Sequence, residues 1–171
     1  MHYEALKEVW GALTAEGAPF EVVSVEVGGT PVRAFKAAPP NVRALWLSTA
    51  AFAERDYLVY QDERITYGEA HKRVAAIAAW MLAEGVEPGD RVAIAMRNYP
   101  EWMLIYWAAI SIGVAVVGMN AWWVADEVEY ALNDSEPKIV FCDKERLDRI
   151  LERPATAARA KLVATRTETL P

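Results

Sequence analysis

Apolar residues recur at two spacings along this chain, and the spacing marks the elements. Leu6, Val9, Trp10 and Leu13 fall at i, i+3, i+4 and i+7, so Tyr3 to Ala15 reads as an amphipathic helix. The segments "FEVVSVEV" and "TPVRAFKA" read as two strands about Gly28-Gly29, a hairpin turn signal. After a joint at Ala38 to Pro40, Asn41 is the expected N-cap of a helix with Val42, Leu45 and Trp46 on one face. A second hairpin spans Tyr57 to Tyr67. Thr66 and Glu69 have capping-box spacing, which predicts that Thr66 accepts a helix N–H and Glu69 reaches back. The helix that follows should bury Ala70, Val74, Ile77, Ala78, Met81 and Leu82 and stop at Gly85.

Beyond Gly85 the pattern alternates regularly. "RVAIAM" is a strand. Asn98, with Glu101 three residues on, begins a very apolar helix that Gly113 ends. "VAVVGM" is a strand, Val124 to Leu132 a helix and "KIVFC" a strand. Asp143 caps a helix with Leu147, Ile150 and Leu151 inward, and "KLVAT" reads as a fourth strand. This rhythm predicts an α/β fold: a parallel sheet of βαβ units flanked by helices, preceded by a short α+β segment with hairpins. We divide the chain into residues 1–40, helix and hairpin, and residues 41–171, the α/β part. A helix apolar nearly all round, such as Trp102 to Ile112, must be covered on both sides.

Composition narrows the function. Net charge is −6 and the pI is near 5.0, which argues against nonspecific nucleic-acid binding. A single cysteine, Cys142, permits no internal disulfide, and with only His2 and His71 a Cys/His metal site is excluded. The N-terminus shows no secretory signal, so a reducing, cytoplasmic setting is expected. Trp102 to Met119 carries no charge, which raises a membrane-spanning reading. Against that reading, Gly113 divides the run into a helix and a strand, each too short to cross.

Catalytic constellations are not legible. No GxGxxG, GxxxxGK[ST] or GxSxG pattern occurs, and "GGTPVR" at Gly28 lies between strands rather than before a helix. Cys142 ends an apolar strand and reads as a buried structural thiol, with His71 off the apolar stripe of its helix. Asp126, Glu127 and Glu129 read as helix-dipole partners, the alternative being acid–base chemistry. Trp80 reads as facing a neighbouring element, and Trp102 and Trp107 as core. Trp122 and Trp123 sit at a strand-to-helix turn, pointing opposite ways, as packing or as a ligand surface.

Several stretches together carry a resemblance: "TYGEA" (Thr66 to Ala70), "GVEPGDRVAI" (Gly85 to Ile94), "NYPEW" (Asn98 to Trp102), "IGVAVVGMN" (Ile112 to Asn120) and "LNDSEPKIVFCD" (Leu132 to Asp143). In this order they resemble the N-terminal region of the acyl-adenylate-forming (AMP-binding) superfamily. The "NAWW" segment and the lead-in are most similar to bacterial acyl-CoA synthetases acting on fatty or steroid-type acids. The resemblance implies the large N-terminal domain of such an enzyme, with ATP, Mg²⁺ and CoA used by a parent acid–thiol ligase. It also implies a Thr/Ser/Gly-rich phosphate loop ending in Pro-Lys after the last strand, which these 171 residues do not contain. No catalytic, cofactor-binding or metal-binding residue therefore carries over, and the chain is expected to be an inactive scaffold fragment. The apolar surface that the rest of such a domain would cover is expected to drive homo-oligomerisation. The alternative is a freestanding α/β binding module without catalysis.

Overall fold

The computed structural model describes residues 2–167. The chain forms two compact units, Met1–Ala44 and Leu45–Pro171.

The first unit holds helix α1 (His2–Thr14) and the antiparallel hairpin β1 (Val22–Val27) and β2 (Thr30–Phe35). Gly28 and Gly29 both take positive φ, 57° and 79°, as the two-residue turn between right-twisted strands requires. The apolar stripe of α1 is present but covers little. Trp10 and Phe20 each meet Phe35 edge-on, yet no residue of α1 is buried. Helix α2 (Val42–Ser48) begins with the Ala44 N–H bonded to Asn41 Oδ1 at 2.8 Å, the cap the sequence predicts. Only Trp46 of its expected face is buried; Val42 and Leu45 are exposed.

The second unit is a three-layer α/β/α sandwich. Its elements are the hairpin β3 (Asp56–Tyr60) and β4 (Glu63–Thr66), α3 (Tyr67–Ala83), β5 (Arg91–Ala95), α4 (Pro100–Ser111), β6 (Ala115–Gly118), α5 (Ala125–Ser135), β7 (Ile139–Asp143), α6 (Lys144–Leu151), the short α7 (Pro154–Ala157) and β8 (Lys161–Thr165). Strands β6-β5-β7-β8 pair in that order, all parallel, as the βαβ rhythm predicts. The two central strands are apolar runs, because both faces are covered. Val92, Ile94, Met96, Ile139 and Phe141 face α3 and α4. Ala93, Ala95, Val140 and Cys142 face α5 and α6. Helix α4 packs beside α3 on the same face of the sheet, and Gly113, at φ 78°, turns the chain from it into β6.

Several expectations need correction. Thr66 accepts the Glu69 N–H at 3.2 Å, but the Glu69 carboxylate pairs with Arg73 one turn on instead of reaching back. Helix α4 is capped at Tyr99, not Asn98, because Pro100 has no N–H and occupies its first turn. Glu101 instead pairs with Arg166. Leu82 and Leu151 are about half exposed, at 50% and 52%, and Trp102 and Trp107 are half-buried rather than core. Among the described residues no helix is long and apolar enough to cross a membrane.

Candidate functional site

In a parallel sheet, ligand crevices open at the carboxyl ends of strands, where successive connections leave in opposite directions. Here the chain leaves β5 toward β6 on one side, and leaves β7 toward β8 on the other. The crevice between β5 and β7 is closed by a carboxylate. Asp143, the last residue of β7, accepts the Arg97 N–H through Oδ2 at 2.9 Å. Its Oδ1 accepts the Arg146 N–H at 3.0 Å and so caps α6.

Arg146 folds back onto the same carboxylate at 3.2 Å, and the two side chains are 3% and 5% exposed. A buried pair of this kind persists only if its remaining hydrogen-bonding capacity is met. It is met here: Arg146 Nε donates to the Ala121 carbonyl at 2.8 Å, and Nη1 donates to Glu145 at 2.9 Å. Arg149, one turn on, donates to the carbonyls of Ala121 and Trp123 at 2.9 and 2.8 Å. Two arginines of α6 thus hold the loop between β6 and α5.

That loop carries the tryptophan pair. Asn120 Oδ1 accepts the Trp122 N–H at 2.9 Å and turns the chain sharply. Trp123 packs inward against the α5–α6 face. Trp122 is 67% exposed, and the Arg97 guanidinium lies 4.3 Å from its ring centre. The opposite directions expected of the pair are present. Beside them a cleft of about 490 Å³ opens, walled by Trp102 and Trp122 and floored by Met96 and Met119.

The other residues considered from sequence have structural partners. Cys142 is fully buried, and desolvation, then the adjacent Asp143 charge, push its thiol up to about 12. His71 stacks on Trp46 at 4.1 Å. Thr49 Oγ1 lies 2.7 Å from the Trp46 carbonyl oxygen and 3.0 Å from His71 Nε2, within hydrogen-bonding reach of both. Burial lowers the His71 pKa. Glu127 accepts the Val124 N–H at 2.9 Å, and Asp126 and Glu129 pair with Arg153. Trp80 meets Phe141 edge-on at 6.0 Å. Gly28-Gly29 is an exposed hairpin tip. Among the described residues no group of three or more His, Cys, Asp or Glu is arranged to hold a metal ion.

Sequence reasoning missed Arg97, Arg146 and Arg149. The signal available was the spacing of Asp143 and Arg146, a cap followed at its third helical position by a cation able to fold back. A further arginine, Arg166, closes β8 by pairing with Glu63 and Glu101 and lying over Tyr60 and Tyr99 at 5.0 and 4.7 Å.

The comparisons with known proteins agree with this architecture. A 4-hydroxybenzoate–CoA/benzoate–CoA ligase of Rhodopseudomonas palustris is 32% identical over 91 residues, 53% of this chain and 17% of that protein. Fatty acyl-CoA synthetase A of Dictyostelium discoideum is 32% identical over 95 residues, 56% of this chain and 14% of that protein. The chain thus spans less than a fifth of either relative. Among solved structures, a Mycobacterium tuberculosis fatty acyl CoA synthetase superposes with TM-score 0.67 at 25% identity, covering 74% of this chain and 27% of that one. A benzoate CoA ligase from Burkholderia xenovorans shares the fold, with TM-score 0.67 at 20% identity over 72% of this chain and 25% of its own. The profile of the AMP-binding enzyme family matches residues 45–170, the whole of the sheet and its helices, and the chain belongs to that family.

Proposed function

We propose that this chain is the scaffold part of an AMP-forming acyl-CoA synthetase. In such an enzyme a carboxylate attacks the α-phosphate of ATP, pyrophosphate leaves, and the CoA thiol then displaces AMP from the acyl-adenylate. The observation that carries this reading is the family match over the complete β6-β5-β7-β8 sheet. A fatty or steroid-type acid is the substrate we assign to the parent protein, supported by the similarity of the "NAWW" segment and by a fatty acyl-CoA synthetase among the relatives.

The chain's own contribution is architectural. Asp143 and Arg146 close the crevice, and the paired acids of α5 are committed to Arg153. The described residues do not fit a Mg²⁺ site, so no step through the ion is assigned to them. We therefore read the 171 residues as catalytically inactive by themselves, with residues 1–40 a lead-in to the α/β part at 41–171, working in the cytoplasm. The exposed Leu6, Val9, Trp10, Phe20 and Phe35 support self-association of the chain.

ATP–pyrophosphate exchange with a panel of carboxylic acids tests the reading. We expect no exchange by this chain, and exchange with fatty or steroid-type acids by a longer polypeptide that continues into a phosphate loop. Exchange by the 171 residues alone would overturn the scaffold assignment. The alternative, a binding module without catalysis, is favoured by one observation: the cleft beside Trp122 is formed by residues of the sheet unit alone.

A further inference from the structure

Three segments far apart in sequence meet at the carboxyl end of β8, and one side chain joins them. Arg166 Nη2 donates to Glu63 Oε1 of the β3–β4 hairpin at 2.9 Å. Its Nε donates to Glu101 Oε2 in the first turn of α4 at 3.2 Å, and Nη2 lies 3.1 Å from Oε1 of that carboxylate. The guanidinium lies over the rings of Tyr60 and Tyr99, which meet edge-on with centres 5.5 Å apart. Arg166 itself takes φ 49°, in the left-handed region where a side chain crowds the backbone and glycine is the residue of least strain. A strained residue persists only where its surroundings over-determine it. Here those surroundings are the two carboxylates and two rings that grip the side chain.

We propose that Arg166 is a positioning residue: its side chain latches the end of β8 to the β3–β4 hairpin and to α4, and so fixes the direction in which the chain leaves the sheet. The fit suits a guanidinium and not an ammonium. A planar fork serves two carboxylates at once while its face stacks on aromatic rings. The three charged side chains are only partly covered, so each ion pair alone adds little to stability. The value of the latch is geometric. Strand β8 is an edge strand of the parallel sheet, and the latch sits at its carboxyl end, where such sheets open their ligand crevices. The role in catalysis rests on the ligase reading: the phosphate loop which that reading places beyond β8 takes its orientation from Arg166. Arg166 acts through the segment it aims, and small errors of aim are costly where reacting groups must be held in line.

The latch is tested first in the 171-residue chain by nuclear magnetic resonance. A strong Overhauser contact between the amide and Hα protons of residue 166, the mark of positive φ, is expected in the unsubstituted chain and should be lost in Arg166→Ala. Amide exchange at Tyr60 and Glu63, the pair that closes the hairpin, should rise about fivefold in the same variant. Arg166→Gly, which relieves the backbone but carries no latch, should raise it as much. Arg166→Lys should restore only part of the protection, because an ammonium lacks the fork. Exchange in β5 and β7 should stay unchanged, which shows the sheet intact. Retention of positive φ in Arg166→Ala, or unchanged exchange at Tyr60 and Glu63, would overturn the latch, and full rescue by Arg166→Lys would overturn the guanidinium fit. The second arm measures ATP–pyrophosphate exchange by the longer polypeptide. Arg166→Ala should lower kcat about tenfold and change KM for the acid less than twofold, with the variant fully folded at the assay temperature. An unchanged kcat would overturn the positioning role. No exchange by the unsubstituted longer polypeptide would overturn the ligase reading instead, and the resonance experiments would still decide the latch.

Discussion

The two faces of the sheet are built from different materials. Toward α3 and α4 the strands present Val92, Ile94, Met96, Ile139 and Phe141, and the layer above is aromatic, with Trp46 stacked between His71 and Trp107 at 4.1 and 4.9 Å. Toward α5 and α6 they present Ala93, Ala95, Val140 and Cys142, small residues that leave room beneath the helices. The first face is sealed by shape and area. The second ends in a charged clamp, Asp143 with Arg146, that fixes a loop. Bulk insulates, while small side chains admit a polar network whose members must all be satisfied.

Substitution should separate the two. The largest effect is expected on the aromatic face, where Trp46→Ala removes a side chain that is 2% exposed and should cost roughly 3–5 kcal/mol, measured by urea denaturation. On the clamp, Asp143→Asn keeps an acceptor for the α6 cap but loses the charge opposite Arg146, at a cost of roughly 2–3 kcal/mol. That variant should also shift the Trp122 resonance, whereas Trp46→Ala should not. If both variants moved Trp122 equally, the faces would not be independent.

A smaller effect distinguishes them by pH. His71 prefers its neutral form in the fold, because burial lowers its pKa from the ordinary 6.5. Stability from the aromatic face should therefore be complete above about pH 6.5, fall as acid protonates the ring, and level off below the lowered folded value. His71→Phe should flatten that dependence while leaving the clamp's contribution in place. The smallest effect is expected at the α5–α7 surface, where Arg153→Ala removes exposed pairs with Asp126 and Glu129 and should leave the denaturation midpoint essentially unchanged.

The aromatic face was more legible in the sequence than the clamp. The runs in β5 and β7, the break at Gly113 and the stripe of Ala70, Val74, Ala78 and Met81 follow from periodicity, because burial of apolar area is what periodicity encodes. Arg146 follows no such rule. A cation three residues into a helix reads as solvated, and only the tertiary approach of the Ala121 carbonyl makes its burial tolerable. The same blindness misplaced the start of α4: the pair Asn98 and Glu101 outweighed Pro100, although a proline fixes the first helical turn more firmly than a capping side chain. Helix α1 erred the other way. Its stripe is real, but amphipathicity specifies a face and not a partner for it.

The burial of Cys142 has a practical consequence. With its thiol fully covered and titrating near 12, the chain's single sulfhydryl is silent toward alkylating dyes at neutral pH. A cysteine introduced in place of exposed Trp122 would then take a fluorophore alone, with no background position to remove first. The fold supplies its own clean reporter at the mouth of the cleft.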